Sequence, residues 1–175
     1  MKKALLTLFC ILTAAIVYSQ DFAAADGKLI WQKVYECNLS YDEIYEALFN
    51  SGAVSDIGMA NGVITCRIPN TSIDIKGAGY SRGNVPMYMV LNDITAFVTV
   101  QCKEDRYRVT IERMELISNT DTSLGKAGER IGIETYAIKR GELSRQLHNV
   151  IAPILGRQFN NIFSLKAKSY LDDNW

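Results

Sequence analysis

The strongest constraint on the fold is an alternation of apolar and polar residues over positions 94–117. The alternation runs in two arms, and Glu104 and Asp105 lie between them. This pattern predicts an antiparallel β-hairpin that buries one face and exposes the other. The residues expected on the buried face of the first arm are Ile94, Ala96, Val98, Val100 and Cys102.

The second arm changes the parity of its apolar positions part-way along. Its inward residues are expected to be Tyr107, Val109 and Ile111 before the change and Met114 and Leu116 after it. Successive side chains of a strand point to opposite faces, so a change of parity requires one inserted residue. The sequence therefore predicts a β-bulge near Glu112 and Arg113.

A strand and a helix are predicted before the hairpin. The strand runs from roughly Leu29 to Cys37 and is rich in β-forming residues. Ser40 and Glu43 then have the spacing of a helix capping box, and Gly52 is a typical helix end. The apolar residues that follow at helical spacing, all expected in the core, are Ile44, Tyr45, Leu48 and Phe49.

More strands are predicted between this helix and the hairpin. Asn61-Gly62 is a tight-turn signal, and it opens a strand that Pro69-Asn70 is expected to stop. Alternation over residues 73–76 predicts another strand. The glycine-rich segment 77–83 is expected to be a loop that leads to a strand over Val85–Leu91.

The C-terminal third is predicted to be a loop followed by a long helix. Residues 118–132 are polar and glycine-rich, whereas residues 143–163 carry a wide apolar stripe at helical spacing. Pro153 is expected to kink this helix or divide it in two. The coarse order is strand, helix, several antiparallel strands and long helix. It predicts an α+β two-layer sandwich, with the sheet backed by two helices on one face.

The N-terminus has the composition of a secretory signal peptide. Lys2 and Lys3 precede an apolar run, and the small residue Ser19 follows it. The run of about fourteen residues is shorter than the roughly 20 that span a bilayer as a helix. We therefore expect cleavage after Ser19, export to the periplasm, envelope or extracellular space, and no transmembrane segment. A flexible lead-in (20–28), a single α+β domain (29–170) and a tail (171–175) are expected to follow.

The net charge of the mature chain narrows its possible partners. Both charges lost with the leader are lysines, so 17 basic residues face 19 acidic ones, a net charge of −2. Nucleic-acid-binding proteins are usually basic, so nucleic acid is not an expected partner.

Cys37, Cys66 and Cys102 remain after cleavage, and they are expected to be buried thiols. Three cysteines allow at most one internal disulfide, and whether any two pair stays open.

The sequence contains no catalytic motif, and it predicts no cofactor and no metal site. His148 is the only histidine, and Ser144 one helical turn away does not complete a triad. The glycine-rich segments 77–83 and 125–128 lack the spacing of nucleotide-binding loops. The acidic pairs are neighbours in sequence, which does not place two carboxylates across a cleft.

The sheet face without helices is the most informative surface. By alternation it carries more basic than acidic residues, together with one aromatic ring that has no predicted cover. One interpretation is a solvated face with weak cross-strand ion pairs. The other is a platform for a small anionic ligand or an envelope protein. The candidate binding residues are Arg67, Lys76, Phe97, Lys103, Arg106 and Arg108.

Three segments of the chain resemble a known family. They are residues 38–45 (Asn-Leu-Ser-Tyr-Asp-Glu-Ile-Tyr), 61–64 (Asn-Gly-Val-Ile) and 103–109 (Lys-Glu-Asp-Arg-Tyr-Arg-Val). The family consists of exported Bacteroidetes proteins with a domain of unknown function and a TATA-binding-protein-like (TBP-like) fold. The resemblance covers roughly residues 30–118, and it implies a curved antiparallel sheet backed by helices. It implies no activity, and the fold label does not imply DNA binding.

Three functions remain in view at the level of sequence. The first is a non-enzymatic exported module that binds a ligand or a partner through the open sheet face. The second is an enzyme of an unrecognised class that uses carboxylates or the lone histidine. The third is a structural subunit of an envelope assembly.

Overall fold

A computed structural model of the chain describes residues 21–121 and 126–165. The expected signal peptide (1–19) and tail (171–175) lie outside the described residues. The described chain has a mixed α+β fold built on a mostly antiparallel sheet that is open on one face, which confirms the predicted class. No helix within the described ranges is long and apolar enough to cross a membrane.

The main sheet contains seven strands in the order β1-β2-β6-β5-β4-β3, with β7 beside β6. Their bounds are β1 Phe22–Ala25, β2 Lys28–Glu36, β3 Ser55–Ala60, β4 Val63–Ser72, β5 Asn92–Lys103, β6 Arg106–Ser118 and β7 Arg130–Gly132. A separate two-stranded ribbon pairs β8 (Ile138–Lys139) with β9 (Glu142–Leu143). The helices are α1 (Tyr41–Ser51), α2 (Met87–Leu91), α3 (Glu134–Ala137) and α4 (Ala152–Phe163).

The predicted hairpin and its bulge are both confirmed. β5 and β6 pair along their length, but Phe97 is opposite Glu112 while Thr95 is opposite Glu115. Three residue steps of β6 therefore face two of β5, and Arg113 takes up the extra length with a φ of 52°. Because of this insertion, Met114 and Leu116 are buried as the earlier inward residues of β6 are.

The core lies between one face of the sheet and the helices α1 and α4. Trp31 of β2 meets Phe159 of α4 edge to face, with ring centroids 5.4 Å apart. Ile44 and Leu48 of α1 belong to the same buried cluster. Burial of these large side chains is the main stabilising contribution to such a fold. The short helices α2 and α3 are additional to the two that the sequence predicts.

Helix α1 begins and ends as predicted. The Ser40 hydroxyl accepts a hydrogen bond from the Glu43 amide at 3.3 Å, and the Glu43 carboxylate accepts one from the Ser40 amide at 2.8 Å. These bonds hold the pKa of Glu43 below its usual value. Gly52 ends the helix with a φ of 64°. The prediction that Phe49 packs in the core is wrong, because its side chain is 59% exposed and stacks on half-buried Tyr45.

Strand β4 passes through Pro69-Asn70 where the sequence predicts a stop. The pairing with β5 shifts by one residue between Ile68 and Thr71, so a bulge accommodates the proline that lacks an N–H. The Thr95 hydroxyl donates to the Ile68 carbonyl at 2.7 Å, which satisfies a backbone acceptor beside the irregularity.

The predicted strand over residues 73–76 is wrong, although its alternating burial is real. Ile73 and Ile75 are buried, but their segment turns and runs beside α4. The Gln158 side chain accepts a hydrogen bond from the Asp74 amide and donates one to the Ser72 carbonyl, both at 3.1 Å. A helix side chain therefore supplies the backbone partners that a neighbouring strand would have supplied.

Three other segments differ from their predictions. Residues 85–91, expected to be a strand, contain α2, which buries Met89, and the buried Val85 lies just before this helix. The lead-in expected to be flexible contains β1, which pairs with β2 and buries Phe22. The expected loop 118–132 contains β7 at its end. Short segments take their structure from the sheet edge or helix that they meet, which local sequence does not specify.

The C-terminal helix continues through Pro153 and is not divided there, and a change of helix type precedes the proline. A π-helical turn, Leu147–Ile151, precedes α4, and Pro153 lies in the first turn of α4. Proline has no amide hydrogen to donate to the carbonyl of Asn149 four residues earlier. The Tyr80 hydroxyl donates to that carbonyl at 3.2 Å instead.

Replacing Val98 with Asp should unfold the domain or destabilise it by more than about 3 kcal/mol, because an unpaired carboxylate would enter the core. Val98 is fully buried between β4 and β6. The matched control is Gln101→Asp, which places the same charge on the exposed face of β5 beside Arg108. Denaturant unfolding measures both variants, and a Val98→Asp protein as stable as the wild type would contradict the strand register.

Candidate functional site

The open face of the sheet is formed by side chains from β2, β6, β5 and β4. Strand pairing aligns them in cross-strand rows. The row nearest the β5–β6 turn contains Glu36, Arg106 and Lys103. The next row contains Val34, Arg108, Gln101 and Val63, and a third contains Gln32, Thr110, Thr99 and Thr65. The fourth row contains Glu112, Phe97 and Arg67.

In the half of the face around the fourth row, the arginine side chains have intramolecular partners. The Arg113 guanidinium lies 4.7 Å from the Phe97 ring centroid, and its Nη2 is 3.3 Å from Glu112 Oε1. Arg67 Nε lies 3.9 Å from Asp56 Oδ2 across the edge of the sheet. Phe97, which has no predicted cover in the sequence, is therefore covered by a cation from the bulge. Arg67 and Phe97 are present on the open face, but both already have intramolecular partners.

The half near the β5–β6 turn is different, and we call it the basic cleft. Lys103, Arg106 and Arg108 are exposed there, and none of them makes an ion pair with any other described residue. The cleft has a volume of about 390 Å³. Its lining residues are Val34, Gly62, Val63, Gln101, Cys102, Lys103, Arg106, Tyr107 and Arg108.

Apolar surface lies beside these charges. Val34 of β2 is 52% exposed although it stands directly opposite Arg108. Arg108 donates to Gln101 Oε1 through Nε at 3.1 Å and through Nη2 at 2.5 Å. The amide fixes the guanidinium over the sheet without neutralising it, so Arg108 keeps donors for a further acceptor.

Arg106 lies at the border with an acidic depression. This second concavity, of about 540 Å³, is lined by Glu36, Cys37, Asn38, Glu104, Asp105 and Arg106. Glu36 stands opposite Arg106 in the strand register, yet the two side chains do not form an ion pair. The carboxylates around this depression make Lys103 and Arg108 the cations that are better placed for an anion in the basic cleft.

Lys76 does not belong to the open face. It is exposed in the turn that follows β4, because the segment predicted to be a strand there is not one. Of the six residues proposed from the sequence, the structure therefore brings Lys103, Arg106 and Arg108 together, places Arg67 and Phe97 further along the same face, and separates Lys76 from it.

Val34, Val63 and Gln101 are site residues that the sequence analysis missed. Val34 lies between the polar residues Gln32 and Glu36 on the outward face of β2, which was a signal that an apolar side chain is exposed. The sequence does not show that β2 pairs with β6, so it could not place this exposed valine beside the basic residues.

The basic cleft is supported from below by Tyr107. Its ring stacks on Tyr35 at 5.1 Å, and its hydroxyl donates to the Phe163 carbonyl at 2.5 Å and accepts from the Leu165 amide at 3.0 Å. One phenol thus links β6 to the end of α4. Burial raises the pKa of Tyr107 to about 12. It also raises the pKa values of its neighbours Tyr35 and Cys102.

Of the two residues considered for catalysis, Ser144 has a structural role. The Ser144 hydroxyl donates to the Tyr136 carbonyl at 3.0 Å and accepts from the Leu147 amide at 3.1 Å, so it caps the helical segment. His148 is exposed on that segment. Across the described ranges, no three His, Cys, Asp or Glu side chains form a group suited to a metal ion. The three cysteines are free thiols, but only Cys66 is fully buried, so the prediction of burial is wrong for Cys37 and Cys102, which are half-buried.

Replacing Tyr107 with Phe should lower stability by about 1–3 kcal/mol at neutral pH, because two backbone groups lose their partner. The variant should also change the alkaline limb of the stability profile. The folded pKa of Tyr107 lies above the unfolded value of 10.0, so its contribution is present below pH 10 and is lost as pH rises towards 12. Urea unfolding from pH 8 to 11.5 should show a shallower decline in the variant, and identical slopes would contradict this account.

Replacing Arg106 or Arg108 with Ala should change the free energy of unfolding by less than about 0.5 kcal/mol, because both side chains are exposed and neither makes an ion pair among the described residues. Thermal or denaturant unfolding measures the effect. A loss of several kcal/mol would mean that these arginines stabilise the fold and are not available to a ligand.

Comparison with solved structures relates this architecture to two bacterial proteins. The chain is similar to a TBP-like protein from Parabacteroides distasonis ATCC 8503, with a TM-score of 0.54 and 14% identity over 81% of this chain and 94% of that one. A DUF4468 family protein from Bacteroides ovatus ATCC 8483 gives a TM-score of 0.49 and 16% identity over 90% and 97% of the two chains. Neither a protein-family model nor a curated protein matches the chain. The likeness to the Parabacteroides structure shows a TBP-like fold, as the resemblance implied, and it supplies no activity.

Proposed function

We propose that this protein is an exported binding module that acts without catalysis and binds its partner on the open sheet face, at the basic cleft. The proposal is supported by the division of that face into two halves. In one half, Arg67 and Arg113 have acidic partners and Phe97 is covered. In the other half, cations and apolar surface are exposed together, which is typical of contact sites.

The observation that carries the proposal is that Lys103, Arg106 and Arg108, on two adjacent strands, are exposed and make no ion pair with any other described residue. Like charges this close on a sheet repel one another and cost stability. A bound anionic group would remove that repulsion. The positive potential of a concave surface would also attract such a group from solution.

Export is part of the proposal and rests on the sequence of residues 1–19. Cleavage after Ser19 would leave every described residue in the mature chain. Intact mass measurement of the protein from the envelope fraction of its host should give a chain that begins at Gln20. A chain that begins at Met1 would overturn the exported location without affecting the binding surface.

Native mass spectrometry of the mature chain, purified gently from its host, tests the binding function. A bound mass should accompany the wild type and be lost from a variant that combines Lys103→Gln, Arg106→Gln and Arg108→Gln. The matched control combines Lys139→Gln, Arg145→Gln and Arg157→Gln, which removes three exposed charges elsewhere. The control should retain the bound mass.

Two results would count against a binding module of this kind. A bound mass that survives in the cleft variant would place the binding surface elsewhere. A stable oligomer in both variants, with no other bound mass, would favour the structural subunit of an envelope assembly instead.

A further inference from the structure

We infer that the basic cleft binds a free small amphipathic anion: a single oxyanion joined to a short apolar body. The inference rests on the proposed function and adds the chemical class of the ligand. It follows from the size of the cleft, from the position of its charges and from the apolar side chains on either side of them.

The size of the cleft favours a small molecule. Its volume of about 390 Å³ lies within the range of roughly 300–1,000 Å³ that is usual for small-molecule sites. Val63, which follows Gly62 in the β3–β4 turn, and Val34 of β2 line the cleft at opposite ends of the row that contains Gln101 and Arg108. An extended acidic peptide would have to continue from the cleft past Glu36, Glu104 and Asp105 at the turn end, where its charge would be repelled.

The charges are arranged for one oxyanion. Arg108 is held at its inner edge by Gln101, which accepts from both Nε and Nη2. Its remaining guanidinium hydrogens point away from the amide, as the planar fork requires. Lys103 lies on the adjacent strand, one cross-strand row nearer the turn, so an oxyanion between the two side chains receives donors from both.

The apolar side chains of the cleft contact the apolar body of the ligand. Val34 and Val63 stand at the two ends of the row that contains Arg108 and Gln101. A ligand whose anion contacts Arg108 therefore has a valine on either side for its apolar body, the exposed Val34 and the half-buried Val63. Inorganic phosphate or acetate would leave this surface exposed to water, and a neutral apolar molecule would leave the guanidinium without an acceptor.

Titration of ¹⁵N-labelled mature protein with octanoate tests the inference. The amide signals of residues 34, 63, 101, 103 and 108 should shift together in a saturable way. Acetate and 1-octanol should produce no saturable shift at the concentrations where octanoate saturates. Arg108→Gln should raise the dissociation constant at least about tenfold, because a charge-assisted contact is lost. Val34→Asn should raise it about threefold or more, because less apolar surface is buried. Arg157→Gln, an exposed arginine on α4, should leave it unchanged.

Sedimentation with phosphatidylglycerol vesicles separates a free ligand from a membrane surface. The protein should stay in solution, and co-sedimentation that is lost in Arg108→Gln would overturn the inference in favour of lipid headgroups. Equal binding of acetate and octanoate would also overturn it, because the apolar body would then have no role. If octanoate does not bind while the native bound mass still depends on the cleft, the ligand class is wrong and the binding function stands. If neither observation holds, both are wrong.

Discussion

The one-residue insertion in β6 is the constraint on which the sheet depends. Without Arg113 in its left-handed conformation, Met114 and Leu116 would point to the open face and the core would lose two buried side chains. The same insertion places the Arg113 guanidinium over Phe97. A single backbone irregularity therefore completes the core on one side of the sheet and places a guanidinium over an aromatic ring on the other.

Local patterns predicted the elements that local interactions determine. The alternation of β5 and β6, the parity change at Arg113 and the reciprocal bonds of Ser40 and Glu43 all involve residues near in sequence or directly paired. The failures have a common cause. Alternation at Ile73 and Ile75 correctly predicted their burial, but the backbone there bonds to Gln158, which lies 84 and 86 residues away from its partners Asp74 and Ser72. Nothing in a local pattern distinguishes a helix side chain from a strand as the partner.

The candidate site also contains some residues that local patterns predict and others that depend on distant parts of the chain. Lys103, Arg106 and Arg108 were predictable, because the two arms of one hairpin must bring them to the same face. Val34 was not, because β2 becomes the neighbour of β6 only through a connection that spans α1, α2 and three strands. The position of Arg113 over the Phe97 ring was not predictable either, because it depends on where the bulge directs the Arg113 side chain. Which cations of the face have intramolecular partners is thus a property of the assembled sheet.

Tyr107 and Arg108 connect the two faces through the backbone they share. They are successive residues of β6, so one points into the core and the other into the basic cleft. The Tyr107 hydroxyl is bound to the last turn of α4, and the Arg108 guanidinium is bound to Gln101 of the adjacent strand. Each bond fixes the same short stretch of backbone from opposite sides. The guanidinium is consequently held in position, so the binding proposed for this site would cost less conformational entropy.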